Sequence, residues 1–92
     1  MKSKASIIKK ITFAELDNYT IYLRENPGIR ISLNEYLGKS QNIIADLSQI
    51  KFDREHSIDL SNANLSGCIL DGLEFSGKFV VLKGADLRGA SI

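Results

Sequence analysis

The sequence predicts an α+β chain in which short helices lead into a winding, repeated second half. Two observations carry this. Capping signatures at Thr12–Glu15 and Ser32–Glu35 each precede apolar residues at helical spacing. From Ile58 onward the apolar period becomes five, which fits neither the roughly 3.6 of a helix nor the roughly 2 of a strand. We therefore divide the chain into a helical N-terminal region, 1–56, and a repeated region, 57–92.

In the first region, the Thr12 hydroxyl can accept from an orphan amide of the first turn while Glu15 reaches back. Leu16, Tyr19 and Leu23 follow at helical spacing, and Asn26-Pro27-Gly28 stops the run. Ser32–Glu35 opens a second short helix through Tyr36 and Leu37, which Gly38 weakens. Ile43, Ile44, Leu47 and Ile50 read as a further helical stripe. The start, "MKSKASIIKKITF", is basic, but Lys9 and Lys10 interrupt the apolar run a secretory signal needs, so it reads as a solvated terminus.

The second region divides as IDLSN, ANLSG, CILDG, LEFSG, then VVLKG, ADLRG, ASI. Each block has an apolar centre: Leu60, Leu65, Leu70, Phe75, Leu82, Leu87 and Ile92. Two residues earlier stand Ile58, Ala63, Cys68, Leu73, Val80, Ala85 and Ala90. Most blocks end on glycine, and the first ends on Asn62. Two inward positions per five, followed by a residue able to turn the backbone, imply a chain that bends once per block. Such a chain winds into coils whose inward side chains stack.

"ANLSGCILDGLEFSG" and "VVLKGADLRGASI" resemble the pentapeptide-repeat family, whose pattern is a small residue, Asp or Asn, Leu or Phe, and two variable positions. The resemblance implies a right-handed quadrilateral β-helix with four blocks to a coil, and the N-terminal helices are expected to cap its N-terminal end. The blocks run unbroken to Gly77 and resume at Val80, so Lys78 and Phe79 form a two-residue insertion where one coil would hand over to the next. Leu60 then stacks under Leu82, Leu65 under Leu87, Leu70 under Ile92, Ala63 under Ala85 and Cys68 under Ala90. Phasing on Val80 as a centre would bury the Lys78 ammonium, which is costly without a partner.

Composition bounds the function. The chain has 92 residues, a formal net charge of +1 and a single cysteine, so charge announces no nucleic-acid binder and Cys68 has no disulfide partner. No apolar run approaches the roughly 20 residues of a membrane span. His56, Ser57 and Asp59 are the residue types of a nucleophilic relay, but adjacency in sequence is not its geometry; they read as a solvated loop. Asp71 and Glu74 read as solvated outward carboxylates, and inward Cys68 as a small apolar residue. No cofactor, metal, nucleic acid or membrane is expected as a partner.

The expected function is a non-catalytic protein-interaction or scaffold module with an unidentified protein partner. Lys78, Phe79, Lys83 and Arg88 are the candidate contacts. The resemblance implies a bacterial protein, cytoplasmic or delivered into a host cell as an effector by a non-classical route. It also implies an alternative, inhibition or protection of a type II topoisomerase by imitation of DNA. That mode asks for a long acidic stripe, whereas four acidic residues meet three basic ones over Ser57–Ile92, a net charge of −1. A third reading is an assembly or targeting domain fused to a catalytic part. Because the blocks stop within "ASI", the coil is expected to continue in a longer protein or to pair as a homodimer through its open C-terminal coil.

Overall fold

Both predicted caps form. A computed structural model of the chain describes residues 6–38, 41–73 and 79–91. Its elements are β1 (Ile7–Lys10), α1 (Phe13–Glu25), α2 (Leu33–Leu37), β2 (Ile43–Asp46), β3 (Ile58–Asp59) and β4 (Val80–Val81). At the start of α1 the Glu15 amide donates to Thr12 Oγ1 at 3.2 Å, and the Thr12 amide donates to Glu15 Oε1 at 3.1 Å. Ser32 and Glu35 repeat the exchange at α2, each bond 3.1 Å. Helix α1 stops at Asn26, ahead of Pro27, and buries Leu16, Tyr19 and Thr20.

Two expectations for the N-terminal region are corrected. Ile43–Asp46 is a strand, not part of a helical stripe, and Ile7–Lys10, although exposed, is a paired strand and not a frayed end. They pair in parallel, Ile7 with Ile43 through Lys10 with Asp46. On its other side β2 meets the repeated region through a parallel bridge from Asp46 to Ile69, with Leu47 N–H donating to Ile69 C=O at 2.9 Å. Pairing on both sides satisfies the backbone here without a helix.

The repeated region stacks on itself with one register. Ile58 pairs with Val80, Asn64 with Asp86 and Ile69 with Ser91, all in parallel and all 22 residues apart. Ser32 bridges Asn64 from the other side, so Ser32, Asn64 and Asp86 form one row, and Asp46, Ile69 and Ser91 form another. The strands stay short, as two two-stranded parallel pairs joined by isolated bridges, and no closed sheet forms among the described residues.

The block pattern has a local cause. The Ala63 amide donates to Leu60 C=O at 3.0 Å, and the same bond closes the corners after Leu65, Leu70, Leu82 and Leu87. Each corner places a residue of positive φ third, namely Asn62, Gly67, Gly72, Gly84 or Gly89. That is the signature of a type II turn, which favours glycine or asparagine at this place. At three of these corners the residue before the centre adds support: Asp59, Asn64 and Asp86 accept from the amides of Ser61, Ser66 and Arg88 at 2.9 to 3.0 Å, whereas Ile69 and Val81 stand at the other two. Asp or Asn is preferred there because its short side chain reaches the amide two residues on.

Inside, one apolar core runs from Leu16, Tyr19 and Leu33 through Ala45 and Leu47 to Leu60, Leu65, Cys68, Leu70 and Val80. Layer 58–73 is covered on both sides and fully buries its centres. In layer 79–91, Leu82, Ala85, Leu87 and Ala90 are half-buried.

Candidate interaction face

The corner turns and interlayer bonds fix the backbone of the outer faces, so the outward side chains stand in rows. Leu60 and Asn62 donate their amides to Val81 and Lys83 carbonyls, and Gly67 donates to Arg88. This sets Lys83 beside Asn62 and Arg88 beside Gly67 in the next layer. Both cations are exposed. Arg88 folds back on Asp86, its Nη2 lying 2.7 Å from Oδ2 and its Nε 3.0 Å from Oδ1. These hydrogen bonds hold the Asp86 carboxyl down to about 2. In open water such a pair adds little stability; it sets the local charge pattern.

Phe79 is half-buried, and its carbonyl accepts from the Ile58 amide at 2.7 Å, within the interlayer ladder. Lys78 lies outside the described residues, as do Phe75 and Ile92 of the expected inward set. The remaining inward positions divide by layer except at Val80, which is buried although it belongs to layer 79–91. Leu60, Ala63, Leu65, Cys68, Leu70 and Val80 are buried, whereas Leu82, Ala85, Leu87 and Ala90 are partly covered. Burial pushes the Cys68 thiol up to about 12, and its Sγ donates to Asn34 Oδ1 at 3.4 Å, so it is not poised as a nucleophile.

The relay residues are not brought together as a relay. His56 Nδ1 lies 2.9 Å from Asp53 Oδ1, and Asp59 is engaged by the Ser61 amide. Asp71 accepts from Ser91 Oγ at 2.6 Å; its sequence partner Glu74 lies outside the described residues. No group of three or more potential metal ligands occurs among the described residues. Nor is any described helix long and apolar enough to cross a membrane.

The structure adds a feature that the block pattern did not reveal. A groove of about 800 Å³ runs between the end of α1 with the loop behind it and the repeat residues Asn62, Asn64 and Asp86. Tyr19 anchors the helical wall. Its hydroxyl donates to Ile31 C=O at 2.7 Å and receives the Asn64 amide at 3.2 Å, and burial raises its phenol pKa. Asn34 ties the next segment down, with Oδ1 accepting the Ala45 amide at 2.7 Å. Arg24 and Arg30 enter this groove from positions outside any repeat, so the period of five could not flag them. The Asn26-Pro27-Gly28 stop was the available signal, because it turns the chain and brings Arg30 back beside the helix end.

Among known families, a model described as pentapeptide repeats (8 copies) matches residues 58–77. It ends at Gly77, where the unbroken count of five also ends. No curated protein and no solved structure matches the chain. Residues 58–77 of this chain therefore carry pentapeptide repeats.

Proposed function

We propose that the chain is a non-catalytic protein-interaction module. In this reading its repeats form a short right-handed quadrilateral β-helix, and the helical N-terminal region, 1–56, caps the repeated region, 57–92. The observation that carries the proposal is the common 22-residue register, which holds outward polar side chains in rows on a hydrogen-bonded backbone. Side chains already fixed in space lose little further freedom when a partner binds, and that favours recognition. Lys83 and Arg88 on the exposed faces are the first contact candidates, with Phe79 and Lys78 at the layer junction.

DNA imitation is not carried forward, because it asks for a long acidic stripe and the outward residues of Ser57–Ile92 carry nearly balanced charge. The resemblance adds a bacterial setting, in the cytoplasm or after delivery into a host. To test the proposal, a photo-crosslinking amino acid is placed at Lys83, Arg88 or, as a control, Lys51, in the cell that encodes the chain. The expected result is one discrete protein adduct from the first two positions and none from the third. Absence of a discrete adduct from either face position would overturn it.

A further inference from the structure

We propose that the groove beside α1 is a docking site for an acidic, extended segment of a protein partner, a reading that rests on the interaction-module assignment above. Charge complementarity points to this occupant. Arg24 and Arg30 reach the groove from the helix end and the return loop, and both are exposed. Arg30 has no ion-pair partner among the described residues. Arg24 is felt by Asp59, whose Oδ1 is already taken by the Ser61 amide. The remaining pair, Arg88 and Asp86, satisfy each other through two parallel bonds. The Arg30 guanidinium is thus available, beside an Arg24 that shares the groove with the Asp59 carboxylate, and a guanidinium is suited to a two-point grip on a carboxylate.

The floor suits a peptide backbone. Asn64 Oδ1 accepts from the Ser66 amide, and neither the Asn64 side-chain NH2 nor the Asn62 side chain has a hydrogen-bond partner among the described residues. Beside the arginines, Leu23 and Ile29 line the groove, and Ile29 is 43% exposed. Apolar side chains next to cations fit a segment in which carboxylates alternate with aliphatic residues. Nucleic acid fits less well. The one aromatic residue lining the groove, Tyr19, is fully buried and offers no face for base stacking.

The test is fluorescence anisotropy with the full chain at low salt. The probe is a short fluorescein-labelled peptide alternating glutamate with leucine; comparators replace glutamate by lysine, or use single-stranded oligothymidylate. The glutamate peptide should bind, the lysine peptide should not, and the oligonucleotide should bind about tenfold more weakly or worse. Arg30→Glu should weaken binding about tenfold or more, Arg30→Lys should do so less, and Lys51→Glu should leave it unchanged. Arg30 is exposed, so its variants are expected to keep the wild-type circular dichroism. No binding of the glutamate peptide, equal binding of the oligonucleotide, or indifference to Arg30→Glu would each overturn the proposal. A partner that crosslinks from Lys83 or Arg88 yet binds the Arg30→Glu chain unchanged would leave the interaction-module reading standing and remove the groove from it.

Discussion

Tyr19→Phe isolates the joint between the helical region and the repeats. Tyr19 is fully buried, and phenylalanine keeps its ring and the contact with Tyr36, whose centroid lies 5.4 Å away. Only the hydroxyl is lost. Its removal leaves the Ile31 carbonyl, now 2.7 Å from the hydroxyl, and the Asn64 amide, 3.2 Å away, without that partner. An orphaned buried group costs about 1–3 kcal/mol. The Asn64 bond is long, and the neighbouring groove admits water to part of the site, so the two losses together should come to about 2 kcal/mol. A domain of this size has about 5–15 kcal/mol in all, so the loss is a large fraction. Urea unfolding followed by far-ultraviolet circular dichroism should show the midpoint falling with the slope unchanged. The melting temperature should drop by roughly 8–16 °C. A destabilisation below about 0.5 kcal/mol would refute the reasoning, since typical surface substitutions reach that size.

Other perturbations test the stack. Leu65→Ala, at a fully buried centre, should cost about 3–4 kcal/mol, and Leu87→Ala, at a half-buried one, about half as much in the same urea assay. The reverse order would contradict the two-sided covering of layer 58–73. Gly84→Ala places a Cβ on a backbone with φ of 74° and against Asn62 Oδ1, so it should cost about 1–2 kcal/mol, while Gly28→Ala, in open space, should be near neutral. Alkaline pH should destabilise the fold. Burial raises both the Cys68 thiol, to about 12 from 9.0, and the Tyr19 phenol above 10.0, so the unfolded chain loses these protons first. Their stabilisation is complete below about pH 9 and should decline above it, so the urea midpoint should fall between pH 9 and 11, less steeply in Cys68→Ala. Removing Lys78 and Phe79 together should preserve folding, because it returns the count between layers to an unbroken series of fives.

The repeats were legible because each corner needs a residue of positive φ, and glycine or asparagine supplies it at a fixed interval. Ala45–Gln49, "ADLSQ", has the same small-Asp-Leu order, and the structure repeats its burial and hydrogen bonds, although Gln49 does not take the positive φ of the repeat corners. Ala45 and Leu47 are buried, Asp46 accepts from the Ser48 amide at 2.9 Å, and the Ile50 amide closes on Leu47 C=O at 3.0 Å. It read as a helix because Ile43, Ile44, Leu47 and Ile50 also fall on one helical face, and because Gln49 replaces the glycine. Over so short a window the two periods coincide, and pairing with both β1 and Ile69 decides between them. Strand β1 escaped notice for a related reason. All four of its residues are exposed, so neither burial periodicity nor alternation marks it, and only its partner β2 defines it.

The same geometry explains why the candidate contact chemistry is split between two sources. Within a block, two positions face the core, one accepts from the corner amide, and one must usually reach positive φ. Little freedom remains for recognition except at the outward position before the corner glycine, where Lys83 and Arg88 stand. Upstream the constraint is relaxed. Between Lys10 and Ser32 the chain leaves the stacked rows, forms α1, and returns to bridge Asn64. Tyr19 fixes that return, and the excursion carries Arg24 and Arg30 to the opposite wall of a groove that the repeats line with Asn64, Asp86 and Arg88. Tyr19→Phe and Arg30→Glu should therefore separate cleanly. The first should lower stability and, by loosening the wall, weaken the glutamate peptide. The second should weaken the peptide at unchanged stability. If Arg30→Glu instead lowered the urea midpoint as much as Tyr19→Phe, Arg30 would be holding the return loop rather than facing a partner.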